Sequence, residues 1–289
     1  MKENTRLSVK SETTLLPFLL VNFNNKSRNY VKGVLKRGQV TVDGVVCKNF
    51  AQTIYPGQHV GVLANIIPLA EKMSIPIIYE DEDIIVIDKP AGMLAVSTDK
   101  EYENTAYHMV SDYIKSKFGE VFIVHRLDRE TSGVMLLAKN QQVKRVLQDN
   151  WNDMTILRGY IAVVEGEVMI PERQIKSWFK QTKTLFVYSS EKEKDGKLAI
   201  TNYQTQKVSD NYSLLNISLE TGRKNQIRVH MNDIGHPVAG DKKYGASTDP
   251  FHRLGLHAAE LVIIHPTSKV QMNFKSAMPN IFMKVFTLK

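Results

Sequence analysis

The stretch best furnished for chemistry runs His125-Arg126-Leu127-Asp128-Arg129-Glu130-Thr131-Ser132-Gly133-Val134. A carboxylate, Asp128, stands between Arg126 and Arg129. Apolar runs lie on either side, Val121-Phe122-Ile123-Val124 before it and Val134-Met135-Leu136-Leu137-Ala138 after it. Each has the length and composition of a buried strand, and Ser132-Gly133 reads as the turn signal between them. A lone Asp between two arginines is commonly a solvated turn making weak ion pairs. Here, however, a hairpin tip has no structural need for a histidine, two arginines and two acids. Core strands that fix a loop, and a loop that presents one side chain, are a sound way to hold a reactive group.

Two further strings carry usable side chains. Glu220-Thr221-Gly222-Arg223-Lys224-Asn225-Gln226-Ile227-Arg228-Val229-His230 turns at Thr-Gly. It then offers Arg223, Gln226 and Arg228, whose guanidinium and amide donors suit a phosphate, a base edge or a carboxylate. A helix is expected to start near Asn225, where free N–H groups also favour an anion. The second string, Asp88-Lys89-Pro90-Ala91-Gly92-Met93, leaves the fully apolar strand Ile84-Ile85-Val86-Ile87 in a rigid turn. Tyr160 lies within a strong strand pattern, Leu157 to Gly166. The chain has no dinucleotide glycine fingerprint, no phosphate-loop string and no His-Glu-x-x-His spacing, so neither a cofactor nor a metal is expected.

The elements that must position these groups fall into two parts. The 289 residues have 43% apolar and 24% charged content, ordinary for a soluble protein. No apolar run reaches the length of a membrane span, and the single cysteine, Cys47, fits a reducing, cytoplasmic setting. The formal charge is +8. Residues 1–63 hold nine Lys or Arg against three acids, so most of that charge sits in the first fifth of the chain. Residues 1–13 read as disordered. A helix is expected from Thr14 to Phe23, capped by Thr14, and a second from Arg28 to Arg37, capped by Ser27 and stopped by Gly38. Val31, Val34 and Leu35 share one face of the second helix, with Arg28, Lys32, Lys36 and Arg37 largely elsewhere. An Asp43-Gly44 hairpin follows. The expected division is a small basic domain over 14–63, a linker over 64–75 and a larger domain over 76–289.

The central string closely resembles the signature of the RluA-type pseudouridine synthases, and the match extends from about residue 77 to 266. The strings around Lys89-Pro90-Ala91-Gly92, Tyr160, Arg228 and Leu256-His257-Ala258 take part in it. The resemblance implies an α+β fold with a mixed, largely antiparallel sheet and flanking helices. It also implies isomerisation of uridine in RNA to pseudouridine, with neither cofactor nor metal. By the same resemblance Asp128 is the catalytic carboxylate, Tyr160 stacks on the target base, and Arg228 pairs with Asp128. Lys89, with Pro90-Ala91-Gly92, would shape one wall of the cleft. From their own chemistry, Arg223 and Gln226 are expected to contact substrate, and Arg126, planar and always charged, to fill the gap left by a flipped uridine. Two positions depart from the family, Arg158 in place of its lysine and Asn225 in place of its histidine. Residues 14–63 resemble the RNA-binding module of ribosomal protein S-four, a helix-helix-hairpin unit. On it Arg28, Lys32, Lys36 and Arg37 would neutralise phosphates. The implied partner is RNA, large-subunit ribosomal RNA first and transfer RNA second, met by a monomer. The alternative is a non-catalytic RNA-binding or ribosome-assembly factor.

Overall fold

The computed structural model describes residues 3–23, 27–36, 38–63, 75–98, 101, 104–117 and 119–286. The chain divides into two compact units, Met1–Lys72 and Met73–Lys289. The expected linker lies outside the described residues except for Ile75, which is buried in the core of the second unit.

The first unit contains β1 (Glu3–Ser8), β2 (Thr13–Thr14), α1 (Leu15–Asn22), α2 (Arg28–Lys36), β3 (Val40–Val42), β4 (Val45–Val46), β5 (Thr53–Ile54) and β6 (His59–Leu63). The expectation of disorder is corrected for the described residues 3–13, because β1 pairs antiparallel with β6 and closes one side of a β1-β6-β3-β4 sheet. Its partner lies far along the chain, so local composition did not reveal it. Thr14 occupies the cap position of α1 but makes no side-chain capping bond, whereas the Ser27 hydroxyl accepts from the Tyr30 amide at 3.2 Å. Asp43 and Gly44 both have positive φ, 49° and 82°, as a two-residue hairpin turn requires. Leu15, Leu19, Val31, Val34 and Leu35 bury the apolar faces of both helices in one core. Arg28 and Lys32 stay exposed, with the Lys32 ammonium 5.5 Å from the centre of the exposed Phe50 ring.

The second unit runs β7 (Ile77–Glu80), β8 (Ile84–Lys89), α3 (Ala106–Ser116), β9 (Phe122–Ile123), β10 (Ser132–Ala138), α4 (Gln141–Asp149), α5 (Trp151–Met154) and β11 (Thr155–Glu165). It continues with β12 (Glu172–Gln181), β13 (Val187–Ser190), β14 (Lys197–Ser209), β15 (Tyr212–Leu219), α6 (Gln226–Asp233), β16 (Leu256–Ile264) and β17 (Gln271–Lys275). Among the described residues, eleven strands form one sheet in the order β13-β12-β14-β15-β11-β16-β10-β8-β7, with β9 added to β10 and β17 to β16.

The continuous apolar runs of β8 and β10 are explained by cover on both faces. Ile85, Ile87, Met135 and Leu137 pack with Val110 and Ile114 of α3. The alternating residues Ile84, Val86, Val134 and Leu136 pack with Val143 and Leu147 of α4. Each such fully buried side chain contributes about 1.5–3 kcal/mol. In the other half of the sheet, Ala162, Val164, Leu215 and Ile217 bury one face against Ile227 and Met231 of α6.

The two halves meet at β10 and β16, which pair parallel through Ser132↔His257 and Gly133↔Ala258. Every other pairing in this sheet is antiparallel among the described residues. The reading of Ser132-Gly133 as a turn is therefore corrected, since these residues open β10 and join the half-sheets. Glycine's tolerance of positive φ, here 112°, serves a close strand approach.

Candidate active site

Asp128 stands on the loop between β9 and β10, whose start is fixed by the pairing Ile123↔Leu137 and whose end by Ser132↔His257. The Thr131 amide donates to the Asp128 carbonyl at 3.2 Å and tightens the turn beneath it. Lys89 pins the same turn from below. Its side chain is fully buried, and its ammonium donates to the carbonyls of Pro90 (2.8 Å), Met93 (2.8 Å) and Arg129 (3.1 Å). Burial pushes its pKa down to about 8, with Glu130 acting in the opposite direction. Replacing Lys89 by Met would remove three hydrogen bonds from a charged donor, worth about 1.5–3 kcal/mol each. Lys89→Met is therefore expected to lower the melting temperature and slow turnover together. Wild-type melting and turnover in the variant would contradict the pin.

His125 anchors the start of the loop. Its Nε2 accepts from the Leu136 amide at 3.0 Å, and its ring stacks on Trp151 with centroids 4.8 Å apart. The expectation that this histidine has no structural job is corrected, because the partners come from β10 and α5 and cannot be read locally. Burial pushes the pKa of His125 down to about 4, helped by the Arg158 charge, and burial does the same to His230. Both lie below the free value of 6.5. On acidification the unfolded chain therefore takes up protons before the native state does, and stability falls between about pH 6.5 and pH 4. Melting temperatures at about pH 7, 5.5 and 4.5 should descend in that order. Equal values would remove the buried neutral histidines as a source of acid lability.

Arg228, on the first turn of α6, comes up opposite. Its Nη1 lies 3.8 Å from Asp128 Oδ2. Its nearest ionic partner is not Asp128, however. The guanidinium binds the Asp241 carboxylate side-on, Nε to Oδ2 at 2.6 Å and Nη2 to Oδ1 at 2.7 Å. Burial opposes the Arg228 charge, but the Asp241 hydrogen bonds and the charges of Asp241 and Asp128 outweigh it and hold its pKa above the usual arginine value. Tyr160, on β11, completes the group. Burial pushes its phenol up to about 12, so the ring is neutral at physiological pH, and the opposing charges of Arg158 and Asp128 both reach it.

Arg126, Asp128, Tyr160, Arg223, Gln226 and Arg228 line one cleft of about 150 Å³. That is well below the roughly 300–1,000 Å³ of a typical small-molecule site, and it suits one flat ring better than a nucleotide cofactor. A wider groove of about 810 Å³ crosses β11, β12, β14 and β15. It is lined by side chains such as Gln174, Asn202 and Asn216 and lacks the Asp128–Arg228 pair, so size alone does not select the site.

Several sequence-based assignments change. Lys89 does not form a wall of the cleft, since its ammonium is enclosed by carbonyls. Gln226 is buried and spent on structure. Its amide donates to the Ile200 carbonyl and Thr201 hydroxyl, and its oxygen accepts from the Thr221 hydroxyl and the Arg223 amide. Arg223 is exposed at the rim, with Nε on the Leu198 carbonyl at 2.8 Å. Arg129 turns to Glu101 at 2.7 Å. Arg126 is exposed beside Asp128. Arg158 donates its Nε to the Leu219 carbonyl at 3.2 Å and braces β15. Of the basic residues assigned to the first unit, Arg37 and the side chain of Lys36 lie outside the described residues.

The sequence profile of the RNA pseudouridylate synthase family matches residues 83–233, a span that contains Asp128, Tyr160 and Arg228. The chain belongs to that family. The synthase is 34% identical over 273 residues to the uncharacterized RNA pseudouridine synthase YlyB of Bacillus subtilis, covering 91% of this chain and 89% of that protein. It is 33% identical to ribosomal large subunit pseudouridine synthase D of Zymomonas mobilis, covering 75% and 74% respectively. The fold matches that of human RNA pseudouridylate synthase domain containing 4 with a TM-score of 0.58 at 20% identity, over 72% of this chain and 90% of the other.

Asp241 and Tyr244 of the synthase were missed as site residues. They sit in Gly240-Asp241-Lys242-Lys243-Tyr244-Gly245, and the signal was an acid and an aromatic flanking two lysines between glycines. The Arg228 guanidinium carbon lies 4.9 Å from the centre of the Tyr244 ring.

Proposed function

We propose that this enzyme isomerises uridine in structured RNA, large-subunit ribosomal RNA above all, with Asp128 as its catalytic carboxylate. The observation that carries the reading is the meeting of Asp128 and Arg228 at 3.8 Å, in a cleft also lined by Tyr160. The reaction breaks the bond from uracil N1 to the sugar and re-forms it from C5. The C5 hydrogen passes to water and N1 gains a proton. Asp128 faces the sugar and base, Tyr160 offers a neutral aromatic surface for the extruded ring, and Arg228 sets a positive charge beside the carboxylate. Arg126, exposed at the loop, fills the gap left in the RNA. The ribosomal assignment is supported by similarity to proteins named ribosomal large subunit pseudouridine synthase D.

The test is RNA labelled with tritium at uridine C5, separated into ribosomal and transfer fractions. Release of tritium to water from the ribosomal fraction is expected. Release from transfer RNA alone would move the substrate, and no release with RNA binding intact would favour an assembly factor.

The first unit acts as an RNA handle of the ribosomal protein S-four type. Its support is α2, which buries Val31, Val34 and Leu35 and leaves Arg28 and Lys32 exposed. Changing Arg28 and Lys32 together to Gln is expected to weaken RNA binding. It should also flatten the dependence of log K on log salt by about 0.7–0.9 for each phosphate no longer neutralised. A salt slope equal to wild type would remove these residues from the RNA interface.

A further inference from the structure

The turn that leads from β4 to β5 is fixed at its backbone and open at its tip. Asn49 Oδ1 accepts from the Ala51 amide at 3.0 Å, and the Gln52 amide donates to the Asn49 carbonyl at 3.1 Å. The start of α1 holds the same turn from the other side. There the Leu16 amide donates to the Phe50 carbonyl at 3.1 Å and the Leu15 amide to the Gln52 carbonyl at 2.9 Å. The Phe50 side chain is nonetheless 53% exposed and stands outside the core built on Leu15, Leu19, Val31 and Val34. Scattered exposed apolar side chains are ordinary, but this ring is both rigidly mounted and furnished with a cation. Lys32 Nζ, on the exposed side of α2, lies 5.5 Å from its centre. Arg28 is exposed one turn earlier on the same helix, and Lys48 is exposed two residues before the ring. Asp43 is the sole acid in residues 14–63. Its carboxylate is taken by the Gln58 side-chain amide and the His59 backbone amide, at 2.9 and 2.8 Å.

We propose that Phe50 is a nucleobase platform: the first unit takes one unpaired base of its RNA onto the open face of this ring, with the flanking phosphates on Arg28, Lys32 and Lys48. The inference rests on the reading of the first unit as an RNA handle and goes beyond it. Cations alone neutralise phosphates without regard to sequence or pairing. An aromatic face accepts any base that has left its stack, because every base has a π-face. A paired stem keeps its bases inside and offers only phosphates. The ring therefore turns a charge contact into a preference for loops and bulges, without choosing among the bases. The backbone of the turn is already ordered, so little is lost in fixing it when the base arrives.

The test is filter binding of the full-length protein over a series of salt concentrations. The probes are a short RNA hairpin with an unpaired loop and a blunt RNA duplex of equal phosphate number. Phe50→Ala is expected to weaken hairpin binding about tenfold, within the range that a base–aromatic stack carries. The slope of log K against log salt should stay at the wild-type value, because no phosphate contact is lost. Duplex affinity should not move. Phe50→Trp should hold the hairpin at least as tightly as wild type. Phe50→Leu keeps apolar bulk on the turn and should lose what Phe50→Ala loses, so the comparison survives even if alanine loosens the turn. Wild-type hairpin affinity in Phe50→Ala would overturn the proposal. So would full rescue by leucine, which would reduce the ring to packing, or a loss shared equally by hairpin and duplex. A wild-type salt slope in Arg28→Gln/Lys32→Gln would instead overturn the handle itself. The two failures are separable, one as an intercept and the other as a slope of the same plot.

Discussion

Asp128→Asn is expected to bring tritium release to background, a loss of at least about 10³-fold, in the range that removal of a positioned acid–base or electrostatic group costs. The substitution keeps the shape of the side chain and removes only its charge. The fold should not notice. The Asp128 side chain is 28% exposed, and its backbone carbonyl, which accepts from Thr131, is untouched. Arg228 is not orphaned, because its side-on partner is Asp241. RNA affinity should stay close to wild type, since affinity for RNA comes chiefly from phosphates neutralised elsewhere. Equal melting temperatures, equal RNA binding and no turnover form the expected signature. Residual turnover near the wild-type rate would move catalysis off Asp128 and leave the cleft without a candidate carboxylate.

The legible parts of this molecule were those whose partners lie close in sequence or whose burial is complete. β8 and β10 could be read because both faces are covered, so no polar residue interrupts Ile84 to Ile87 or Val134 to Ala138. The helix α2 could be read from Ser27, Gly38 and a one-sided apolar face. Asp128, Tyr160 and Arg228 could be named from their strings, and all three line one cleft. The misses share a cause. Lys89 looked like a strand-end lysine near a cleft, but the carbonyl of Arg129, which comes from a distant segment, closes a cage around it. His125 looked spare because Leu136 and Trp151 were not its sequence neighbours. Gln226 offered amide donors on paper, yet Ile200 and Thr201 of β14 had already taken them. Arg228 does meet Asp128, as expected, but its second and closer partner went unread, because Asp241 arrives on a turn beyond α6. Sequence shows which groups a chain carries; which of them are already satisfied depends on long-range pairing.

Gly133→Ala should have the largest effect on the fold. At φ +112° a side chain is strained in any surroundings, and here the surroundings are closed as well. A Cβ on Gly133 would lie 2.0 Å from the Ala258 carbonyl oxygen and 2.7 Å from its carbon, both rigid backbone atoms. Ala258 is a register point for the whole site. It pairs with Gly133 on β10 and with Tyr160 on β11. Forcing β10 away from β16 therefore separates the strand that leads from Asp128 from the strand that carries Tyr160. It also pulls on Ser132, whose hydroxyl accepts from Arg253 at 2.7 Å and meets His257 Nδ1 at 2.8 Å. A cost of at least about 4 kcal/mol is expected, the size reserved for overpacking and special-backbone sites. In a domain of this length that is a fall of about 10 °C in melting temperature. Gly92→Ala is the control. Gly92 also has a positive φ, 80°, but an added Cβ would meet nothing within 4 Å. It should show only the backbone penalty, about 1–2 kcal/mol. If the two variants melted together, the close approach of β10 and β16 would carry no energetic weight, and the joint between the half-sheets would have to be sought elsewhere. If Gly133→Ala alone collapses, the glycine after Ser132 is what allows the two half-sheets to meet, and through Ala258 it sets the spacing between Asp128 and Tyr160.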